Sequence, residues 1–176
     1  MTVRPISHSE LLELAYELAG QDAGRGRPKT IKLRRSISTS YYALFHYLAG
    51  SAAMMLCGDE PESLAQRNRA VRWISHTDML TLSQAVLDPH RPVAGVLLQP
   101  APDLQRLADA FVSLQRAREQ ADYDHEFDVS HAEALEIADT AAGALERGDR
   151  MWYGNEPSYL LFLRLMIGAV KIAKNR

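Results

Sequence analysis

Arg118, Asp122 and His125 are spaced so that they could act on a phosphate ester. Seven residues make about two helical turns, so a helix continuing past Arg118 puts His125 on the same face with Asp122 near both. Arg118 could then hold a phosphate through two parallel hydrogen bonds while His125, titrating near neutrality, moved a proton. The same residues have a plainer use. An Arg118–Asp122 ion pair closes a helix, and His125 stands exposed beyond its end.

A second constellation lies earlier in the chain. Arg35, Thr39, Tyr42 and His46 fall on one side of a helix at about 100° per residue. Such a stripe must be hydrogen-bonded inside a bundle, exposed in a groove, or used on a ligand. It is either a buried polar seam that fixes helix register or a direct contributor to chemistry. Beside Arg118, Asp122 and Tyr123 it reads as the supporting half of a two-helix seam. Arg35 or Tyr42 is then expected to approach Asp122 or Asp124.

Basic residues precede the stripe. Arg25, Arg27, Lys29, Lys32, Arg34 and Arg35 occur with no acidic residue among them. Charge runs are often solvated surface, but basic charge at a helix N-terminus opposes the macrodipole, which points to an anionic partner such as nucleic acid. Arg67, Arg69 and Arg72 form a second cluster, ending at Trp73. Gly24-Arg25-Gly26 lacks the third glycine and the strand of a phosphate loop, and no serine sits in a nucleophile elbow. The six histidines show no paired metal-ligand spacing on one helix face. The acidic residues around His125 and His131 read as surface rather than as a metal site.

These side chains need helices to position them. Ser7 and Glu10 form a capping box, Ile6 can staple onto Leu11, and the first helix runs to about Gly20. A Gly/Pro loop follows to Pro28. The second helix spans about Thr30 to Cys57, with Gly58 closing it. Pro61 to Leu87 reads as one helix broken or kinked near His76-Thr77-Asp78, a sequence that could equally cap a new helix. Asp88 to Pro102, with four prolines, reads as a non-helical connection. A helix from about Asp103 to Asp122 carries Arg118. Ser130 and Glu133 cap another running to about Leu145. Gly148 and Gly154 punctuate the connection to a last helix, which covers about Ser158 to Ala173. No stretch alternates with period two, so the expected fold is an all-α bundle of about five main helices in one domain, with an excursion at about 88–102.

The whole chain, 176 residues with a formal charge of -2, can bury a core without staples and has no global pull toward nucleic acid or membrane. The lone Cys57 excludes an internal disulfide and any multi-thiolate zinc site. The N-terminus lacks a signal-peptide core, and Tyr159 to Val170 is too short to cross a bilayer, so a cytoplasmic setting without membrane attachment is expected.

The run Arg35-Ser36-Ile37-Ser38-Thr39-Ser40-Tyr41-Tyr42-Ala43-Leu44-Phe45-His46, followed by Arg118-Glu119-Gln120-Ala121-Asp122-Tyr123-Asp124, resembles the HEPN superfamily. These are helical domains often found beside minimal nucleotidyltransferases in prokaryotes. The resemblance implies an up-down bundle of four to five helices, commonly a homodimer. Many relatives are metal-independent endoribonucleases of toxin or defence type. It implies catalytic roles for Arg118 and His125 and supporting roles for Arg35, Tyr42, His46, Asp122 and Tyr123, with no metal and no cofactor. The partners it implies are RNA or a nucleotide, or a nucleotidyltransferase. Glu119 stands where active members usually carry a polar residue such as Asn. The alternative is therefore a non-catalytic dimeric module that binds a partner protein.

Overall fold

The computed structural model describes residues 7–20 and 29–167. Seven α-helices make up nearly all of the regular structure, and no strand occurs among the described residues. The all-α expectation holds, with more helices than the five anticipated.

Helix α1 (His8–Ala19) starts where Ser7 accepts the Glu10 amide and stops where Gly20 turns left-handed at φ 89°. The Ile6 staple and the loop to Pro28 lie outside the described residues. Helix α2 (Thr30–Cys57) has the predicted bounds. It ends with Gly58 at φ 80°, and Arg67 Nη1 donates to the Gly58 carbonyl at 2.9 Å.

The segment from Pro61 is two separate helices, so His76-Thr77-Asp78 starts a new helix and does not kink a single one. A 3₁₀ turn (Pro61–Ser63) leads into α3 (Leu64–Val71), and α4 (His76–Leu87) begins afresh. Ser75 is extended at φ -98° and ψ 149° and accepts the Asp78 amide, so it caps α4 and cannot continue α3. The proline connection is not wholly non-helical. Pro92, with its φ already fixed by the ring, opens a 3₁₀ helix (Pro92–Val96).

Helix α5 (Pro102–Tyr123) is followed by α6 (His131–Tyr153). The predicted capping box forms: Ser130 Oγ accepts the Glu133 amide at 3.2 Å, and Glu133 accepts the Ser130 amide at 2.7 Å. α6 runs through Gly148, which was expected to interrupt it. That glycine is a packing residue, since an added Cβ would lie 2.5 Å from the Tyr47 ring. Helix α7 (Pro157–Met166) comes next, and the expected extension to Ala173 falls outside the described residues.

The chain divides into two compact units, Met1–His46 with Ala110–Leu145, and Tyr47–Asp109 with Glu146–Arg176. In the first, Ala19, Leu33, Ile37, Ala121, Val129 and Ala134 form a buried apolar cluster. The buried rings of Tyr41 and Phe111, 5.5 Å apart, extend its apolar interior. The second unit buries Leu48, Met79, Leu82, Leu107, Phe162 and Leu163. Within it, the Tyr47 hydroxyl donates to Asp149 Oδ1 at 2.9 Å. Burial pushes the Tyr159 phenol up to about 12, so it stays protonated. No helix among the described residues is long and apolar enough to cross a membrane.

Candidate functional site

The site lies in the first unit, where the N-terminal half of α2 meets the C-terminal turns of α5. A helix end leaves its last carbonyls without intrahelical donors. α5 has no glycine there, and Arg34 supplies the donors instead. Its Nε donates to the Ala121 carbonyl at 2.7 Å, Nη2 to Asp124 at 2.7 Å, and Nη1 to Phe127 at 3.5 Å. The Asp124 carboxylate accepts the Glu126 amide at 2.9 Å, turning the chain away from the helix axis.

This termination corrects the placement of His125. α5 stops at Tyr123, and His125 sits in the turn beyond rather than two helical turns up the face of Arg118. Arg118 is instead committed to the plainer pairing, with Nε 2.8 Å from Asp122 Oδ2. Asp122 Oδ1 accepts the Ser38 hydroxyl at 2.6 Å. Arg118 Nη2 donates to the Tyr42 hydroxyl at 3.2 Å, and the guanidinium carbon lies 5.8 Å from the Tyr42 ring centre and 5.5 Å from that of Tyr123. Burial opposes the Arg118 charge, but the Tyr42 hydrogen bond and the Asp122 carboxylate outweigh it and raise the pKa.

A seam exists that shares Tyr42 with the expected stripe and takes Arg34 and Ser38 in place of Arg35 and Thr39. Arg34, Ser38 and Tyr42, at four-residue steps on α2, meet Ala121, Asp122 and Arg118 on α5. Tyr42 reaches Asp122 only through Arg118. Thr39 bonds back to the Arg35 carbonyl at 2.7 Å, within its own helix. His46 is half-buried, and burial together with the neighbouring His8 lowers its pKa, so the imidazole is neutral at pH 7.

Beside the seam opens a cavity of about 500 Å³ lined by Thr30, Ile31, Arg34, Arg35, Ala121, Asp122, Tyr123 and His125. Arg118 is not on its wall; the carboxylate it holds is. Arg35 and His125 are exposed, as are Lys29 and Lys32 nearby in sequence. Arg25 and Arg27 lie outside the described residues. Tyr123 presents its ring at 69 % exposure. Thr30 and Ile31 form the first turn of α2, the end of a helix that favours anions. A guanidinium, an imidazole, an aromatic face and a helix N-terminus around one cavity suit a phosphate with a base or sugar attached. Among the described residues, no three His, Cys, Asp or Glu side chains converge to hold a metal.

Sequence reasoning missed Ser38 and the capping role of Arg34. The signal was available as the 34–38–42 spacing, which leads to the same Tyr42 as the stripe of larger polar groups through Arg35 and Thr39. Compared with known proteins, the chain matches no family model, no curated protein and no solved structure.

Proposed function

We propose that this is a HEPN-type domain that binds RNA, or a nucleotide, in the cavity beside the end of α5. The observation that carries the reading is the shared wall of Arg35, His125 and Tyr123. Arg35 takes a phosphate, Tyr123 offers its face to a base, and His125 donates to the phosphate when protonated. In the cleaving form of the reading, a ribose 2′-OH attacks the adjacent phosphorus and the bond to the 5′-oxygen breaks, giving a 2′,3′-cyclic phosphate. His125 either takes the 2′-OH proton as base or protonates the leaving 5′-oxygen as acid, water serves the other transfer, and Arg118 stabilises the phosphorane charge. The ion pair that commits Arg118 to Asp122 favours binding over cleavage.

That pairing also supports a second reading, a non-catalytic homodimeric module that receives a nucleotidyltransferase or another protein. Ile31, 60 % exposed on the cavity wall, gives such a partner an apolar contact. Anisotropy with a labelled single-stranded RNA separates the two. Binding weakened by Arg35→Ala and His125→Ala supports the RNA reading, and wild-type protein that leaves the RNA free sinks it. The same RNA incubated in excess EDTA tests cleavage. Cyclic-phosphate products lost in both Arg118→Ala and His125→Ala would establish a nuclease, and an intact oligonucleotide would leave binding alone.

A further inference from the structure

Among the residues that line the cavity beside the end of α5, Asp122 is the one acid. A carboxylate repels a phosphate, so Asp122 cannot share the role of Arg35. Its oxygens offer about four lone-pair sites, and two are taken. Ser38 Oγ donates to Oδ1 at 2.6 Å, and Arg118 Nε lies 2.8 Å from Oδ2. The side chain keeps 21 % of its surface exposed. Asp122 thus has acceptor sites left and nothing to donate. A ligand that covers it strips away its water and has to return a donor.

A single strand carries two kinds of donor, the N–H groups of its base edges and the ribose 2′-OH. A guanine edge, with two N–H groups side by side, needs both oxygens open to the same side, whereas Ser38 and Arg118 hold one each. A hydroxyl needs one lone pair. The sugar also lies between the phosphate that Arg35 takes and the base that stacks on Tyr123, and Asp122 shares the wall with both. We propose that Asp122 accepts a hydrogen bond from a ribose 2′-OH and makes the cavity prefer RNA to DNA. The inference rests on the reading of the cavity as an RNA or nucleotide site, and it names the group on the ligand that the site selects.

The test compares three labelled single strands on full-length protein: oligoadenylate, its 2′-deoxy analogue and its 2′-fluoro analogue. Fluorine keeps the sugar pucker of a ribose and cannot donate. Anisotropy is expected to show both analogues binding about tenfold more weakly, the worth of one hydrogen bond to a charged acceptor. Asp122→Ala is expected to bring the three affinities together, and Asp122→Asn, which keeps the shape of the side chain, to narrow the gap. Ser38→Ala loosens the carboxylate without removing it and is expected to keep the preference. A purely structural role for Asp122 would not separate Ser38→Ala from Asp122→Ala.

A 2′-fluoro strand bound as tightly as the RNA would overturn the inference, because sugar shape and not the hydroxyl would then be selected. A preference that survives Asp122→Ala, or is lost equally in Ser38→Ala, would overturn the role of Asp122. Discrimination among bases that is equal in ribose and deoxyribose strands would give the carboxylate to a base edge instead. Each of these results leaves the cavity reading standing. Wild-type protein that binds none of the strands would discard both.

Discussion

The Ser38 hydroxyl donates to Asp122 Oδ1 at 2.6 Å and thereby fixes the carboxylate whose other oxygen faces Arg118. A short side chain on α2 decides how a long one on α5 is held. Ser38→Ala removes a hydrogen bond to a charged, largely buried group and should cost about 1–2 kcal/mol. In a chain of this length that lowers Tm by roughly 2–8 °C. A double-mutant cycle between Arg118→Ala and Asp122→Ala should return a coupling of about 1 kcal/mol in urea denaturation. A coupling of zero would mean the ion pair contributes nothing to the fold.

Arg34 is a structural residue before it is a binding one. Arg34→Ala leaves the Ala121, Asp124 and Phe127 carbonyls without their donor and should destabilise by about 2 kcal/mol. Arg34→Lys should recover little of that, because a single ammonium cannot span three carbonyls as a planar fork does. Urea midpoints near wild type for both variants would remove the capping role.

Two glycines inside helices should respond oppositely to alanine. Gly50, in α2, has nothing within 4 Å of an added Cβ, so Gly50→Ala should stabilise by about 1 kcal/mol. Gly148 in α6 has the Tyr47 ring at 2.5 Å, so Gly148→Ala should destabilise by about 1–3 kcal/mol. Thermal melts of the pair check the contrast.

His46 predicts a pH dependence with a definite sign. Burial and His8 hold its folded pKa below the ordinary 6.5, so the unfolded chain binds the proton more readily. The stabilisation is whole above about pH 6.5 and is lost as pH falls through the lower folded value. Tm measured from pH 8 down to pH 5 should decline more steeply in wild type than in His46→Phe. Parallel curves would show that His46 is not the group responsible.

The helices were legible because their ends are written in local chemistry. The capping boxes at Ser7 and Ser130, and the left-handed glycines at positions 20 and 58, act within a turn of their own residue. The end of α5 near Asp122 was legible too, but not the Arg34 side chain that caps it from about ninety positions away, nor the packing role of Gly148, which depends on Tyr47 about a hundred positions away. The ion pair at Arg118 was one of two readings that the sequence allowed. The position of His125 depends on where α5 stops, and a distant guanidinium contributes to that stop.

The hold that Arg34 keeps on the chain from Ala121 to Phe127 has a kinetic corollary. The turn carrying His125 is tied to α2 before any ligand arrives, so one wall of the cavity is already in place at encounter. Binding there immobilises little backbone, and the entropic penalty that slows loop-forming sites is largely absent. Association should then be limited by diffusion and charge rather than by a conformational step, with observed rates rising linearly in ligand concentration and falling with added salt.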